Sequence, residues 1–379
     1  MIVKKIFLLA VLGALIFVTP LRPGDALLAY RLERSIRLGA EWLVRNQLEN
    51  GLFRYDCSLE KGSCSRIQNL TRQAGGTWAL AEAAYFFHDR KYFEAAARSV
   101  DYFVRISEVR EADRRLIRSL PDPENGVTRN NAIALLLRAI LALGREDPDF
   151  LKSHGEIAES FASHLLLSQT GEGLFPSRYA ATSGYYSSAN DDYNDGETFF
   201  ALIGMYNTFP RPEYREAIFK AARALENQYG GSLNRKFYAW GMKGFKEFLA
   251  LGSEPAYRDF IFQQTDLMLE TPYFVFSESL PKTDLPQVAF LVFSEGVAEA
   301  YALAVESGEL ERKREYGDVL RKSIERIFSF QLTENKNLSE ETYRRAYGGF
   351  CGSPACRTQR VDNTQHAILA LLRIYDSLR

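Results

Sequence analysis

A short phrase returns along this chain at the ends of amphipathic stretches. NQLENGLFRY at residues 46–55 comes back as SQTGEGLFPSRY at 168–179, with looser echoes in NQYGGSLNRKFY at 227–238 and SFQLTENKN at 329–337. Each copy follows an amphipathic helical pattern and precedes an apolar or alanine-rich one. The unit is therefore a helical hairpin with a Gln-x-x-x-Gly turn, repeated around the chain. Hairpins that bury their apolar faces against one another favour a single domain, although 379 residues would suffice for two.

Apolar periodicity predicts about twelve helices, at residues 28–48, 70–88, 92–106, 129–143, 150–168, 195–207, 214–228, 237–251, 257–269, 288–306, 312–330 and 363–377. The even-numbered members, such as NNAIALLLRAILAL and EGVAEAYALAV, are apolar on every side and rich in small residues, which places them in an inner ring. The odd-numbered members carry charge along one face, as in RKYFEAAARSVDYFVR, and belong outside. Inner-to-outer connections are short, whereas most outer-to-inner ones are long: 49–69, 107–128, 169–194, 271–287 and 332–362. Long loops in a compact domain carry function more often than not, so a site is expected where the inner helices begin.

A net charge of −1 without a basic block gives nothing to neutralise a phosphate backbone, which argues against a nucleic-acid partner. The 20 Tyr and 26 Phe fall partly in loops, where they suit either stacking on sugar rings or packing beneath the loops. Lys4 and Lys5 precede an apolar run at 6–18, a secretory-signal pattern with an imperfect cleavage site near Ala26. Residues 1–26 are thus expected to direct export to the periplasm or beyond, or to stay as an anchor that associates the chain with a membrane; residues 27–379 form the domain. Cys57 and Cys64 share one loop and Cys351 and Cys356 another, so two local disulfides are the simplest of three pairings, with a zinc site as the rival.

With RQAGGTWAL at 72–80 and YNDGETFFAL at 193–202 as inner-helix openings, the chain resembles the six-hairpin (α/α)6 toroids. These are the glycosidase-like superfamily together with glucuronyl C5-epimerases and unsaturated uronyl hydrolases. The resemblance covers nearly all of the domain and implies an all-α fold with a bowl-shaped, carbohydrate-binding cleft at the inner-helix N-termini. It does not transfer a reaction. Asp191, Asp192 and Asp195 also match the Asp-Asp-x-x-Asp magnesium motif of prenyl-diphosphate enzymes, which keeps a terpenoid or prenyl cyclase as a minor alternative.

The candidate catalytic groups are acids and a histidine. Asp191, Asp192, Asp195 and Glu197 open the third inner helix, and clustered carboxyls supply one protonated and one ionised group for glycoside chemistry. Capping is the competing explanation for Asp195, and a first-turn dipole position for Glu197. His366 opens the last inner helix with Asp362, beside the first if the ring closes. Arg72 and Arg129 start inner helices and suit a carboxylate, flanked by Asn69, Gln73 and Asn130, unless they bridge neighbouring acids. Tyr185, Tyr186, Tyr238 and Trp240 are the candidate stacking surface, although core packing competes for Trp240. The expectation is an exported protein acting on an acidic poly- or oligosaccharide as hydrolase, lyase or epimerase, without metal or other cofactor. The alternative is a non-catalytic binding or assembly protein of an envelope polysaccharide system.

Overall fold

The computed structural model describes residues 23–112, 115–180, 185–187, 192–252, 255–276, 287–352 and 355–378; residues 1–22 of the segment 1–26 expected to direct export, and the candidate Asp191, lie outside them. Thirteen helices are described: α1 (Pro23–Arg45), α2 (Leu70–Phe87), α3 (Arg90–Ile106), α4 (Asn130–Glu146), α5 (Pro148–Ser168), α6 (Asp192–Thr208), α7 (Pro212–Tyr229), α8 (Arg235–Leu249), α9 (Pro255–Leu269), α10 (Gln287–Ser307), α11 (Leu310–Ser329), α12 (Glu340–Ala346) and α13 (Val361–Leu378). Twelve of them follow the periodicity. The short α12 lies in the last long loop, where no apolar repeat announces it.

Side-chain caps start several helices where the pattern switches. Asn69 accepts the Arg72 N–H ahead of α2, Asp147 caps α5 with Pro148 in its first turn, and Asn234 caps α8. Helices α2, α4, α6, α8, α10 and α13 pack in that order and α13 returns to α2, closing an inner ring. In α4 every residue from Asn130 to Gly144 is buried, as an all-round apolar helix requires. The other long helices lie outside: α3 covers α2 and α4, α9 covers α8 and α10, and α1 and α11 both reach α13. Helix α10 is long and apolar enough to cross a membrane, but it is an inner member of the ring.

The recurring phrase proves to be a joint between outer helices. The Gln47 amide donates to Gly51 O at 2.9 Å in its own turn and to Ala95 O of α3 at 2.7 Å. Gln169 repeats this with Gly173 O at 3.1 Å and Ala217 O of α7 at 2.9 Å. Gln331 bonds Gly348 O and Ser35 O of α1, each at 2.9 Å, and so joins the last outer helix to the first. Gly51 and Gly173 have φ of 97° and 105°. A Cβ at Gly51 would collide with the Arg98 carbonyl, and one at Gly173 would lie 2.8 Å from Lys220 O, so each turn presses directly on the next outer helix.

The residue after each turn is tied to an inner helix. Phe53 exchanges two 2.8 Å bonds with the Gln73 side chain, Phe175 N–H donates to Asp195 at 3.0 Å, and Phe350 N–H donates to Thr364 at 3.1 Å. The loops also pair into short strands that a period-two pattern cannot reveal at such length. Strands β1 (Asp56–Ser58) and β2 (Ser63–Cys64), β3 (Glu108–Ala112) and β4 (Arg115–Ser119), β5 (Val127–Arg129), β6 (Arg178–Ala180) and β7 (Tyr185–Ser187), and β8 (Thr358–Arg360) form the sheets β2-β1-β8, β3-β4 and β5-β6-β7. Cys57 pairs with Cys64 and Cys351 with Cys356. Both disulfides flank the first sheet, where Cys57 and Cys351 each face Gln359.

Candidate active site

The first turns of all six inner helices line one cavity of about 550 Å³. Its walls include Arg72 of α2, Arg129 ahead of α4, Glu197 of α6, Arg235, Lys236 and Trp240 of α8, Val292 of α10, and Asp362 and His366 of α13. Outer-to-inner loops end here, so the cavity lies on the face to which the loop lengths pointed.

His366 has the most developed surroundings. Its Nδ1 lies 2.8 Å from Glu295 Oε1, and the other oxygen of Glu295 takes the ammonium of Lys243. The Glu295 and Lys243 side chains have 0% exposure, while the His366 ring still lines the cavity. An ionised carboxylate only accepts, so Nδ1 carries the proton and Nε2 is the nitrogen left for the cavity. Trp240 packs beside it with ring centroids 5.8 Å apart, and the Lys243 ammonium sits 3.9 Å from the Trp240 centroid. Burial opposes ionisation of Glu295, but Lys243 and His366 hold its carboxyl below the ordinary value.

Asp362, one turn before His366, is held by two arginines. Arg360 grips both its oxygens at 2.6 and 2.8 Å, and Arg72 Nε lies 3.1 Å away. Arg72 also bonds the Tyr55 hydroxyl. Arg72 is thus committed to the wall of the cavity more than to a ligand. Among the described residues no carboxylate forms an ion pair with Arg129, Arg235 or Lys236, so the cavity carries surplus positive charge on its α4 and α8 sides.

Several sequence candidates are moved into structural roles. Asp195 is fully buried and accepts the Phe175 N–H at 3.0 Å and the Tyr229 hydroxyl at 2.9 Å. Burial, then Asp195 and Asp192, push the Tyr229 hydroxyl far above its ordinary range, so it remains a donor. Asp192 accepts Asn234 Nδ2 at 3.1 Å, which ties α6 to the cap of α8. Asp192 and Asp195 are therefore tied into the architecture, and these bonds give them work other than binding magnesium. Glu197, 5% exposed, is the member that reaches the cavity wall. It stands on α6, three places round the ring from α13, hence across the cavity from His366.

Gln73 is buried in its clamp on Phe53, and Asn130 is buried between Pro176 O at 2.7 Å and His164 Nε2 at 3.0 Å; neither contacts the cavity as a binding group. Tyr238 is fully buried with its hydroxyl 3.1 Å from Thr265, so it is core and not a stacking floor. Tyr185 and Tyr186 lie in β7; Tyr186 packs on Tyr179 and His164, and burial raises its hydroxyl to about 12. Trp240, Asn69, Arg72, Arg129, Asp362, Glu197 and His366 come together at the cavity. Arg235, Lys236, Arg360, Lys243 and Glu295 were missed. For the last two a signal existed, since an ionisable residue on the buried face of an inner helix must have a buried partner. Among the described residues no three His, Cys, Asp or Glu side chains converge as metal ligands.

No family model matches the chain and no curated protein matches it in sequence. Solved structures do match in fold. D-mannose isomerase superposes with a TM-score of 0.66 at 12% identity over 92% of this chain and 97% of its own. An inactive variant of the α-1,6-mannanase of Salegentibacter sp. HEL1_6, in complex with α-1,6-mannotriose, gives 0.63 at 11% identity over 91% and 99%. An unsaturated glucuronyl hydrolase specific for heparin gives 0.62 at 12% identity over 91% and 97%. The fold is the six-hairpin (α/α)6 toroid.

Proposed function

We propose that this (α/α)6 toroid is an exported carbohydrate-active enzyme that abstracts a proton next to the carboxylate of an acidic oligosaccharide, as a lyase or epimerase. The observation that carries the reading is His366, its tautomer set by the buried Glu295 and its free edge turned to a cavity with more cations than acids. The C5 proton of a uronate would pass to His366 Nε2, and its bonding electrons would move into the carboxylate, where Arg129, Arg235 and Lys236 offset the added charge. Glu197, on the opposite wall, is placed to return a proton to the other face or to protonate the departing glycosidic oxygen.

Hydrolysis by a carboxyl pair is less well supported, because both oxygens of Asp362 are taken by arginines and Asp195 is buried. The fold likeness to an isomerase, a mannanase and a glucuronyl hydrolase supports sugar chemistry. Two disulfides suit an oxidising compartment. A product screen of the purified domain against uronate and neutral oligosaccharides tests the reading. Unsaturated or epimerised uronates are expected; stabilisation by sugar without any new product would favour the non-catalytic binding protein instead.

A further inference from the structure

We infer that Lys243 is a positioning residue for His366: by holding the second oxygen of Glu295 it keeps that group a pure acceptor, so that the His366 ring donates from Nδ1 and presents Nε2 to the cavity. This rests on the reading of His366 as the base, and its test needs no substrate, so the two can fail separately.

The three groups form one line from α8 through α10 to α13, with Lys243 on one oxygen of Glu295 and His366 on the other at 2.8 Å. A lone buried carboxyl group tends to take up a proton, and once protonated it can donate to Nδ1 and leave the ring proton on Nε2. With the Lys243 ammonium on its second oxygen, Glu295 stays a carboxylate in spite of its burial. It then orients the ring as an acceptor only. Lys243 cannot turn away to water, because its side chain has no exposed surface and its ammonium is held over the Trp240 ring.

The other charges facing this line act in the same sense or cancel. Glu299, one turn further along α10, pairs with Arg373 of α13 at 3.2 Å. Asp362 is shared by Arg72 and Arg360, which leaves a surplus cation on that side. Across the cavity, Glu197 on α6 shares the lining with Arg129 ahead of α4 and Arg235 and Lys236 of α8. Lys243 is thus the group whose loss would leave Glu295 to act on His366 alone.

The chain has four histidines, so ring 15N and 13C NMR can follow His366 by itself once it is assigned. In the intact domain the His366 ring is expected to carry its proton on Nδ1, bonded to Glu295. In Lys243→Met, Glu295 can take a proton and donate it to the ring, so the share of the Nε2–H tautomer should rise by about tenfold or more. Lys243→Arg, which keeps a cation on the carboxylate, should retain the Nδ1–H tautomer. A wild-type ring carrying its proton on Nε2 overturns the inference, and this result does not depend on any variant folding. An unchanged tautomer in a folded Lys243→Met domain overturns it as well.

Discussion

Asp195 holds the backbone N–H of Phe175 at 3.0 Å, in the place where Gln73 holds that of Phe53 at 2.8 Å. The two inner-helix residues serve the same joint in different hairpins, one with a carboxylate and the other with an amide. A catalytic acid would need access to the cavity, and Asp195 has none. Removing its acceptor strands the Phe175 N–H in the interior and leaves the Tyr229 hydroxyl only its longer, 3.4 Å bond to Asp192. Asp195→Ala is therefore expected to lose about 2–4 kcal/mol of stability. Chemical denaturation should show this, while turnover per folded molecule stays near wild type.

The outer joint has a steric consequence. Gly51→Ala puts a methyl against the Arg98 carbonyl at a positive φ, and a loss of about 2 kcal/mol or more follows from the clash and the backbone strain together. Gly171→Ala, in the neighbouring turn, meets nothing within 4 Å and should cost far less. Paired denaturation curves would compare them.

His164 gives the fold a pH limit. Burial, with a smaller push from Arg110, lowers its pKa to about 3, against an ordinary value of 6.5. Between those values the unfolded chain binds a proton that the folded chain refuses. Stability from this group is therefore complete above pH 6.5 and falls, at up to roughly 1.4 kcal/mol per pH unit, as pH drops toward 3. His164→Gln should flatten that slope in urea titrations across the same window.

The cavity charge predicts selectivity by site. Arg129→Gln should weaken binding of a uronate oligosaccharide about tenfold while changing a neutral analogue little, since a charge-assisted bond to a ligand is worth roughly 1.5–3 kcal/mol. Arg72→Ala should weaken both, because it also frees Asp362 and Tyr55 from their shared partner. Calorimetric titration distinguishes the two patterns.

Much of this architecture was legible in the sequence. Helical periodicity placed α4 and α10 inside and α3 outside because burial on all sides and burial on one side leave different patterns. Loop length then located the cavity, and cysteine spacing gave both disulfides. The site was less legible. Aspartates 192 and 195 resemble catalytic acids in sequence, and only the loop that folds back onto them shows that they are joints. Tyr238 faces the core although Trp240, two residues on, faces the cavity, since two residues along a helix turn a side chain by about 200°. Lys243 and Glu295 lie 52 residues apart and meet only because α8 and α10 pack side by side in the inner ring.

The most direct test of the account is deuterium exchange at C5 of a bound uronate oligosaccharide in D2O, compared between the wild-type domain and His366→Gln. The account predicts exchange or elimination by the wild type, a loss of about 10²–10⁴-fold in the variant, and similar ligand affinity in both. A wild-type domain that binds the oligosaccharide yet neither exchanges nor cleaves it, or a His366→Gln variant as fast as wild type, would contradict it.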